Sequence, residues 1–394
     1  MPTAFLHGVE VIEIANGLRP IQTVKSSIIG LVGTAPAADP ATFPADTPIL
    51  VTGPRQAELL GATGTLRDAY NAAYAQGVNV MIVVRLTVGA DAAATLAAVA
   101  GSQTSGTGVW ALLNSRAITG QIPRILAAPG FTSTPAANPA SPVTLNLISI
   151  ANRLRGVVIA DGPNTNEADA ITDQGKFGSD RLYIVDPAVR VWDNVTAAYV
   201  TRPASGYVAG ALSRIDMDKG FWWSPSNQIL QGVAGTARPI TFQVSDTETE
   251  ANRLNEAKVA TIVQQNGFRL WGNRSCATDP LWAFLSVRRT ADMIYESIEA
   301  AHLWAMDRPF SVQLLLDIRD SVQAYINTLE TRGALLGGSV WLDPELNTET
   351  ELKAGKLYMN FDIEPPAPLE HLTFRAHRNG SYYDELVTAV AAAQ

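Results

Sequence analysis

Four histidines, His7, His302, His371 and His377, are all the imidazole available in this chain of 394 residues. None lies between residues 8 and 301, so a domain built from that stretch cannot house a Ser-His-Asp relay. The Gly-x-Ser-x-Gly elbow that would raise a nucleophilic serine is also missing. Gly175-Lys176-Phe177 and Gly355-Lys356-Leu357 lack the following Ser or Thr that a phosphate loop needs. Gly30-x-x-Gly33 follows a strand-like run, but without the dinucleotide spacing it reads as tight strand-to-loop packing. His371 and His377, six apart on a segment read as a strand, would share one face, yet no cysteine or carboxylate cluster completes a metal set. Asp161, Asp169, Asp173, Asp180 and Asp186 fall near strand ends, where α/β enzymes place catalytic carboxylates. With no base or phosphate loop beside them, they read as residues that terminate strands. The chemistry points away from catalysis, cofactors and metals.

Composition narrows the remaining classes. An apolar fraction of 47% and a charged fraction of 17% describe an ordered chain with room for two or three domains. One cysteine, Cys276, rules out an internal disulfide framework and suits a reducing compartment. Met1 to Phe5 has no basic or apolar run of a secretory leader, and no apolar stretch approaches the ~20 residues that span a bilayer. A net charge of −8 without a basic stripe argues against a nucleic-acid partner. Arginine outnumbers lysine 23 to 6. Arginine favours bidentate interface pairs, although a GC-rich genome gives the same bias.

Which elements would carry these residues? Val9 to Ile14 is β-prone, stands alone before a Gly17–Pro20 break, and must pair either in its own domain or on a neighbour. From Ser26 to about Val244, strands alternate with helices. Apolar runs at 27–33, 80–84, 124–128, 156–160 and 182–186 read as buried strands. Helices are expected around Leu66–Tyr74, Gly108–Ile118, Val143–Leu154 and Ser205–Ile215, and Gly89 to Gly106 reads as a surface excursion with little fixed structure. This pattern predicts a doubly wound, mostly parallel α/β domain. Beyond Ser245 the texture changes. A helix is expected from Asp246 to about Gln265, then a strand pair at 268–272 and 281–287. Two long helices, Arg289–Met306 and Ser311–Arg332, are broken at Asp307-Arg308-Pro309 and followed by strands near 339–342, 357–363 and 372–376. Phe221-Trp222-Trp223-Ser224-Pro225 is either local core or a contact with another subunit.

The block Gly337-Gly338-Ser339-Val340-Trp341-Leu342-Asp343-Pro344-Glu345, with Phe361-Asp362-Ile363-Glu364-Pro365-Pro366, resembles the C-terminal module of contractile-tail sheath proteins of P2-like phages and R-type pyocins. Further matches lie in order along the chain: Ile28 to Ala35, Pro123 to Phe131, Arg238-Pro239-Ile240, Asn252 to Asn255, Leu270 to Arg274 and Arg288 to Asp292.

The resemblance implies an arm over 1–20, an outer α/β domain over 21–245 that is subtilisin-like but non-catalytic, an inner α+β domain over 246–377, and an arm over 378–394. It implies a structural subunit with no cofactor, polymerised as hexameric rings in a helical sheath. Partners would be an inner tail tube, baseplate and tail terminator proteins, with no nucleic acid and no membrane insertion. The setting would be a virion tail or phage-tail-like particle assembled in the host bacterial cytoplasm. Val9, Val11, Ile12 and Ile14, together with Tyr382, Leu386, Val387 and Val390, would exchange strands between subunits. Asp317, Arg319, Asp320 and Arg332 would face the tube. The competing reading is an α/β hydrolase-like enzyme with a degenerate site.

Overall fold

Short β-branched runs with apolar residues on both faces assemble one large sheet. The computed structural model describes residues 20–393; Val9, Val11, Ile12 and Ile14 of the expected N-terminal strand lie outside them. The described chain opens with β1 (Ile29–Thr34), β2 (Pro48–Val51), α1 (Pro54–Glu58), α2 (Leu66–Tyr74) and β3 (Met81–Leu86). Next come α3 (Ala92–Ala100), a 3-10 turn at Gly108–Asn114, α4 (Ser115–Thr119), β4 (Ile125–Ala127), α5 (Pro142–Leu154) and β5 (Val157–Asp161). Then follow α6 (Glu167–Gln174), β6 (Leu182–Val185), β7 (Val189–Asp193), β8 (Ala198–Arg202), α7 (Ser205–Asp218) and β9 (Gly235–Thr236). The remainder holds α8 (Glu250–Glu256), β10 (Val259–Gln264), β11 (Phe268–Trp271), α9 (Leu285–Ala301) and α10 (Val312–Thr331). It ends with β12 (Val340–Leu342), α11 (Glu349–Lys353), β13 (Met359–Phe361) and α12 (Tyr382–Ala392).

The sheet runs β11-β10-β6-β5-β4-β1-β3-β2. Its interior pairs are parallel, and β2 and β11 close the two edges in antiparallel pairings. Strand side chains alternate between two cores, as the period of two demands. Ile29, Leu31, Val157, Ile159, Tyr183 and Val185 pack with α2 and α7 on one face. Val32, Val158, Ala160, Leu182 and Ile184 pack with α5, α6 and α8 on the other. Gly210 brings α7 against α2: a Cβ there would meet the Ala73 Cα at 2.7 Å. A third core lies between α9 and α10, from Met293 and Ile294 across to Val322, Tyr325, Ile326 and Leu329. β12 and β13 form a separate two-stranded sheet beside it.

Several expectations need correction. The sheet includes β10 and β11, so a domain boundary at 245 would cut through it. The helix expected over 246–265 stops at Glu256. Lys258 takes a positive φ of 60°, and the β-branched Val259, Thr261, Ile262 and Val263 then enter the sheet. Leu281 to Val287 is no strand; Asp279 caps a 3-10 turn and α9 begins at Leu285. Gly89 to Gly106 contains α3, where an alanine-rich run is capped by the Asp91 carboxylate accepting from Ala94 N. Residues 372–376 form no strand, so His371 and His377 share no strand face.

Candidate functional site

The natural ligand position of an open, mostly parallel α/β sheet is the crevice at the C-terminal strand ends where the strand order reverses. Here it lies beside Pro129, after β4. The crevice, lined by Thr65, Asp68, Pro129, Arg202 and Tyr207, measures about 70 Å³. Small-molecule sites usually need ~300–1,000 Å³. Asp68 and Arg202 pair across it at 3.1 Å, and burial pushes the Tyr207 hydroxyl up to about 12.

Each aspartate at the strand ends has structural partners. Asp161 is buried and accepts from Ser205 N at 2.8 Å, Ser205 Oγ at 2.7 Å and Gly130 N at 3.2 Å. Asp186 accepts from Arg238 at 2.5 Å and from Asn164 N at 2.7 Å. Asp173 pairs with Lys176 at 2.8 Å, Asp180 with Arg288 at 3.5 Å, and Asp169 accepts from Thr165 and Asn166. Burial raises the pKa of the Asp161 carboxyl despite those donors. The native state therefore holds this proton more tightly than the unfolded chain does. The group stabilises the fold below the ordinary 3.8, and that contribution is lost as pH rises through the raised native value. In urea melts of monomeric protein, wild type should lose ground to Asp161→Asn from pH 4 to 7, by about 1.4 kcal/mol per unit of elevation. A difference independent of pH would refute this.

The remaining groups are equally committed. Cys276 is buried and its thiol is pushed up to about 12 by desolvation, far from a reactive thiolate. His302 spans α9 and α10, its ring nitrogens lying 2.6 Å from Ile298 O and 3.2 Å from Ser321 Oγ. Among the described residues no group of three His, Cys, Asp or Glu side chains could hold a metal, and no helix is long and apolar enough to cross a membrane.

The densest polar chemistry lies along α9, where it meets the large sheet. Asp292 accepts from Arg181 at 2.9 Å and from Arg288, one helical turn away, at 2.8 Å. Arg289 grips Asp216 of α7 through two bonds of 2.7 and 2.5 Å. Glu296 pairs with Arg124, and Glu299 with Arg155 at 2.5 Å. Asp292 is 1% exposed and Arg289 3%. Buried guanidinium–carboxylate forks of this kind fix orientation more than they add net stability. Sequence reasoning assigns none of these residues a role, although Arg288-Arg289-Thr290-Ala291-Asp292 carries the i,i+4 pairing that signals them.

The expected tube-facing residues do not form one patch. Each residue advances ~100° around a helix, so Asp317 and Arg319 lie about 160° apart on α10. Gln313 donates to Asp317 at 2.6 Å, Arg319 pairs with Asp320 at 2.7 Å, and the Arg332 guanidinium stacks over Trp222 at 5.4 Å. Phe221 belongs to the third core with Trp222 against it, whereas Trp223 is 46% exposed.

Two features of the C-terminal region face outward. Gln323 of α10 accepts from Val340 N at 3.0 Å and donates to Gly338 O at 3.2 Å, occupying the outer edge of β12. The outer edge of β13 pairs with no strand among the described residues. Tyr382, Leu386, Val387 and Val390 are exposed on α12, a helix, not the expected strand. With no sheet to join, the Ala-rich end and the first-turn acids Asp384 and Glu385 favour helix. At i, i+4, i+5 and i+8 the four side chains make one apolar stripe.

Among the described residues the open edge of β13 and the exposed apolar stripe of α12 are surfaces available for contacts with other chains. The phage tail sheath protein central domain matches residues 107–276, and the phage tail sheath C-terminal domain matches 277–378. The chain is 35% identical to the tail sheath protein of Escherichia phage P2, covering 98% of each. It is 34% identical to a prophage major tail sheath protein of Pseudomonas aeruginosa strain UCBPP-PA14, covering 98% of this chain and 99% of that one. The anti-feeding prophage helical sheath in its contracted state shares the fold, with a TM-score of 0.71 at 20% identity over 96% of this chain and 100% of that chain. The PVC sheath of an extracellular contractile injection system, also contracted, gives 0.70 at 17% identity over 96% and 99%. The chain belongs to the phage tail sheath protein family. It is a structural component of a phage tail or phage-tail-like particle, and its relatives are sheath proteins, not enzymes.

Proposed function

We propose that this chain polymerises as stacked six-subunit rings around an inner tail tube and contracts to drive that tube through a target cell envelope. Its likeness to the phage P2 tail sheath protein over 98% of both chains carries this reading. The α/β unit is the outer, subtilisin-like and non-catalytic domain, and the unit built on α9 and α10 is the inner one. Residues 1–20 and 378–394 are the arms. Val9, Val11, Ile12 and Ile14 add a strand to a neighbour, for which the open β13 edge is a fitting acceptor. The α12 stripe docks the C-terminal arm on another subunit. Of the four residues expected to face the tube, Arg319 and Asp320 meet it, through weak polar contacts of about 0–1 kcal/mol each, suited to release; Asp317 lies on the other side of α10, held by Gln313, and Arg332 stays near Trp222. Baseplate and terminator proteins bound the polymer, which assembles in the host bacterial cytoplasm.

Contraction on this reading draws its energy from packing, not from a reaction within the chain. At roughly 25 cal/mol per Å² of apolar area, burying a few hundred Å² more per subunit outweighs the weak polar attachment to the tube. Negative-stain images of purified protein should show hollow striated tubes or rings. Only compact particles, at every concentration tried, would overturn the proposal.

A further inference from the structure

Asparagine followed by glycine occurs three times in the sequence, at Asn16-Gly17, Asn266-Gly267 and Asn379-Gly380. The first lies outside the described residues, and the other two sit in different kinds of backbone. Asn266-Gly267 is the tip of the β10–β11 hairpin. Both residues take positive φ, 51° and 104°, and Gln265 N closes the turn by donating to Gly267 O at 2.9 Å, next to the Gln264–Phe268 pair. Asn379-Gly380 is the step from the body into α12. Asn379, Gly380 and Ser381 are all exposed, and a Cβ added at Gly380 would meet nothing within 4 Å. The Asn379 side chain is nonetheless held. Its Oδ1 accepts from Ser381 N at 3.1 Å and from Ser381 Oγ at 2.8 Å. The loop closed by the first of these bonds contains Cγ, Cβ, Cα and C of Asn379 and N of Gly380, the ring atoms of a succinimide.

We propose that Asn379 is a site of self-catalysed deamidation. The Gly380 main-chain nitrogen, having given its proton to hydroxide, attacks Asn379 Cγ and forms a C–N bond. Negative charge collects on Oδ1, where both Ser381 donors stand at the about 2.7–3.1 Å that stabilises an oxyanion. The Cγ–Nδ2 bond then breaks, and Nδ2 leaves as ammonia after taking a proton from water. Water next opens the ring. Addition at Cγ gives aspartate, whereas addition at the Asn379 main-chain carbonyl carbon leaves the chain joined through Cγ and gives isoaspartate. The net change is one water in and one ammonia out. Holding the reacting atoms in one closed loop supplies the proximity that the step needs, and glycine puts no Cβ beside the attacking nitrogen. At Asn266 the same ring needs a torsion about the Cα–C bond that the left-handed backbone does not provide, so it closes only when the hairpin opens. Either product adds a negative charge beside the first turn of α12, and isoaspartate also lengthens the main chain by one carbon, which re-aims the helix on the body. The consequence for assembly rests on reading residues 378–394 as an arm; the chemistry does not.

Freshly purified full-length protein, incubated at pH 8 and digested under mildly acidic conditions, tests this by peptide mass spectrometry with enzymatic labelling of isoaspartate. None of these readouts involves polymerisation, so their failure is separate from failure of the assembly reading. The peptide carrying Asn379 should exchange NH for O and acquire isoaspartate, at a rate that rises with hydroxide concentration. The peptide carrying Asn266 should convert at least about tenfold more slowly, because its reacting atoms are held out of position. In guanidinium chloride, where the hairpin is lost, the two sites should convert at similar rates. Ser381→Ala removes the hydroxyl donor, keeps the N–H, and should slow Asn379 about fivefold, the effect of one hydrogen bond. An unconverted Asn379, equal conversion of Asn266 in the folded protein, or Ser381→Ala at the wild-type rate would each overturn the proposal.

Discussion

Replacing Asp292 with alanine should destabilise the fold by about 3–5 kcal/mol, the cost of leaving a buried charge without its partner. One carboxylate, 1% exposed, serves two guanidinium groups here. Its loss removes the carboxylate partner of Arg181 and leaves Arg288 the 3.5 Å ion pair with Asp180 and its stacking over Trp282. Arg181 retains a bond of 3.1 Å to Gly156 O, which cannot neutralise the charge. Asp292→Asn keeps the shape and one acceptor and should fall between wild type and alanine. Urea melts of the three proteins decide the matter; an alanine variant within about 1 kcal/mol of wild type would show that the fork contributes orientation alone.

The second large effect concerns assembly. Deleting residues 379–394, or separately 1–16, should abolish tube formation and leave the body folded. α12 buries none of its side chains, so its removal exposes no core. The N-terminal cut stops short of the anchor, where Ile21 and Val24 pack on the third core and Val24 N donates to Ser297 Oγ at 3.1 Å. Melting temperatures should stay within roughly 2 °C of wild type, since ~1 kcal/mol shifts a domain of about 150–250 residues by about 2–4 °C and a longer chain by less. Electron micrographs should show no tubes. A truncated chain that still polymerises, or one that unfolds, would defeat the assignment of these segments as arms.

The sheet is readable because its interior strands are continuous apolar runs, and each of the five recognisable in sequence is a strand between two cores. The misreadings have local causes. Val259 to Gln264 reads as a continuation of the preceding helix because Lys258, which turns the chain at positive φ, carries no glycine or proline signal. The alanine run of α3 has no polar face to give a helical period, and only the Asp91 cap marks its start. Segment 372–376 reads as a strand from its short β-prone run and segment 381–390 by resemblance, whereas a strand needs a neighbour that the chain alone does not supply. The α9 clamp is hidden in sequence because Arg181, Asp216 and Asp292 are far apart along the chain. Charge pairs of that kind become visible only once the sheet has brought them together.

The Gln323 amide bears on the connectivity of the proposed strand exchange, because it already holds Val340 N and Gly338 O on the outer side of β12. If the N-terminal segment enters only the β13 edge of a neighbour, that exchange gives each subunit one socket and one plug. Units of valence two link only into threads or closed loops, however strong each link is. A sheet-like net that survives being stretched in two directions needs a cross-link of a different kind. On the proposed assembly, the four exposed apolar side chains on α12 would supply that second bond, so the net should come apart into threads, not single subunits, when that helix alone loses its grip.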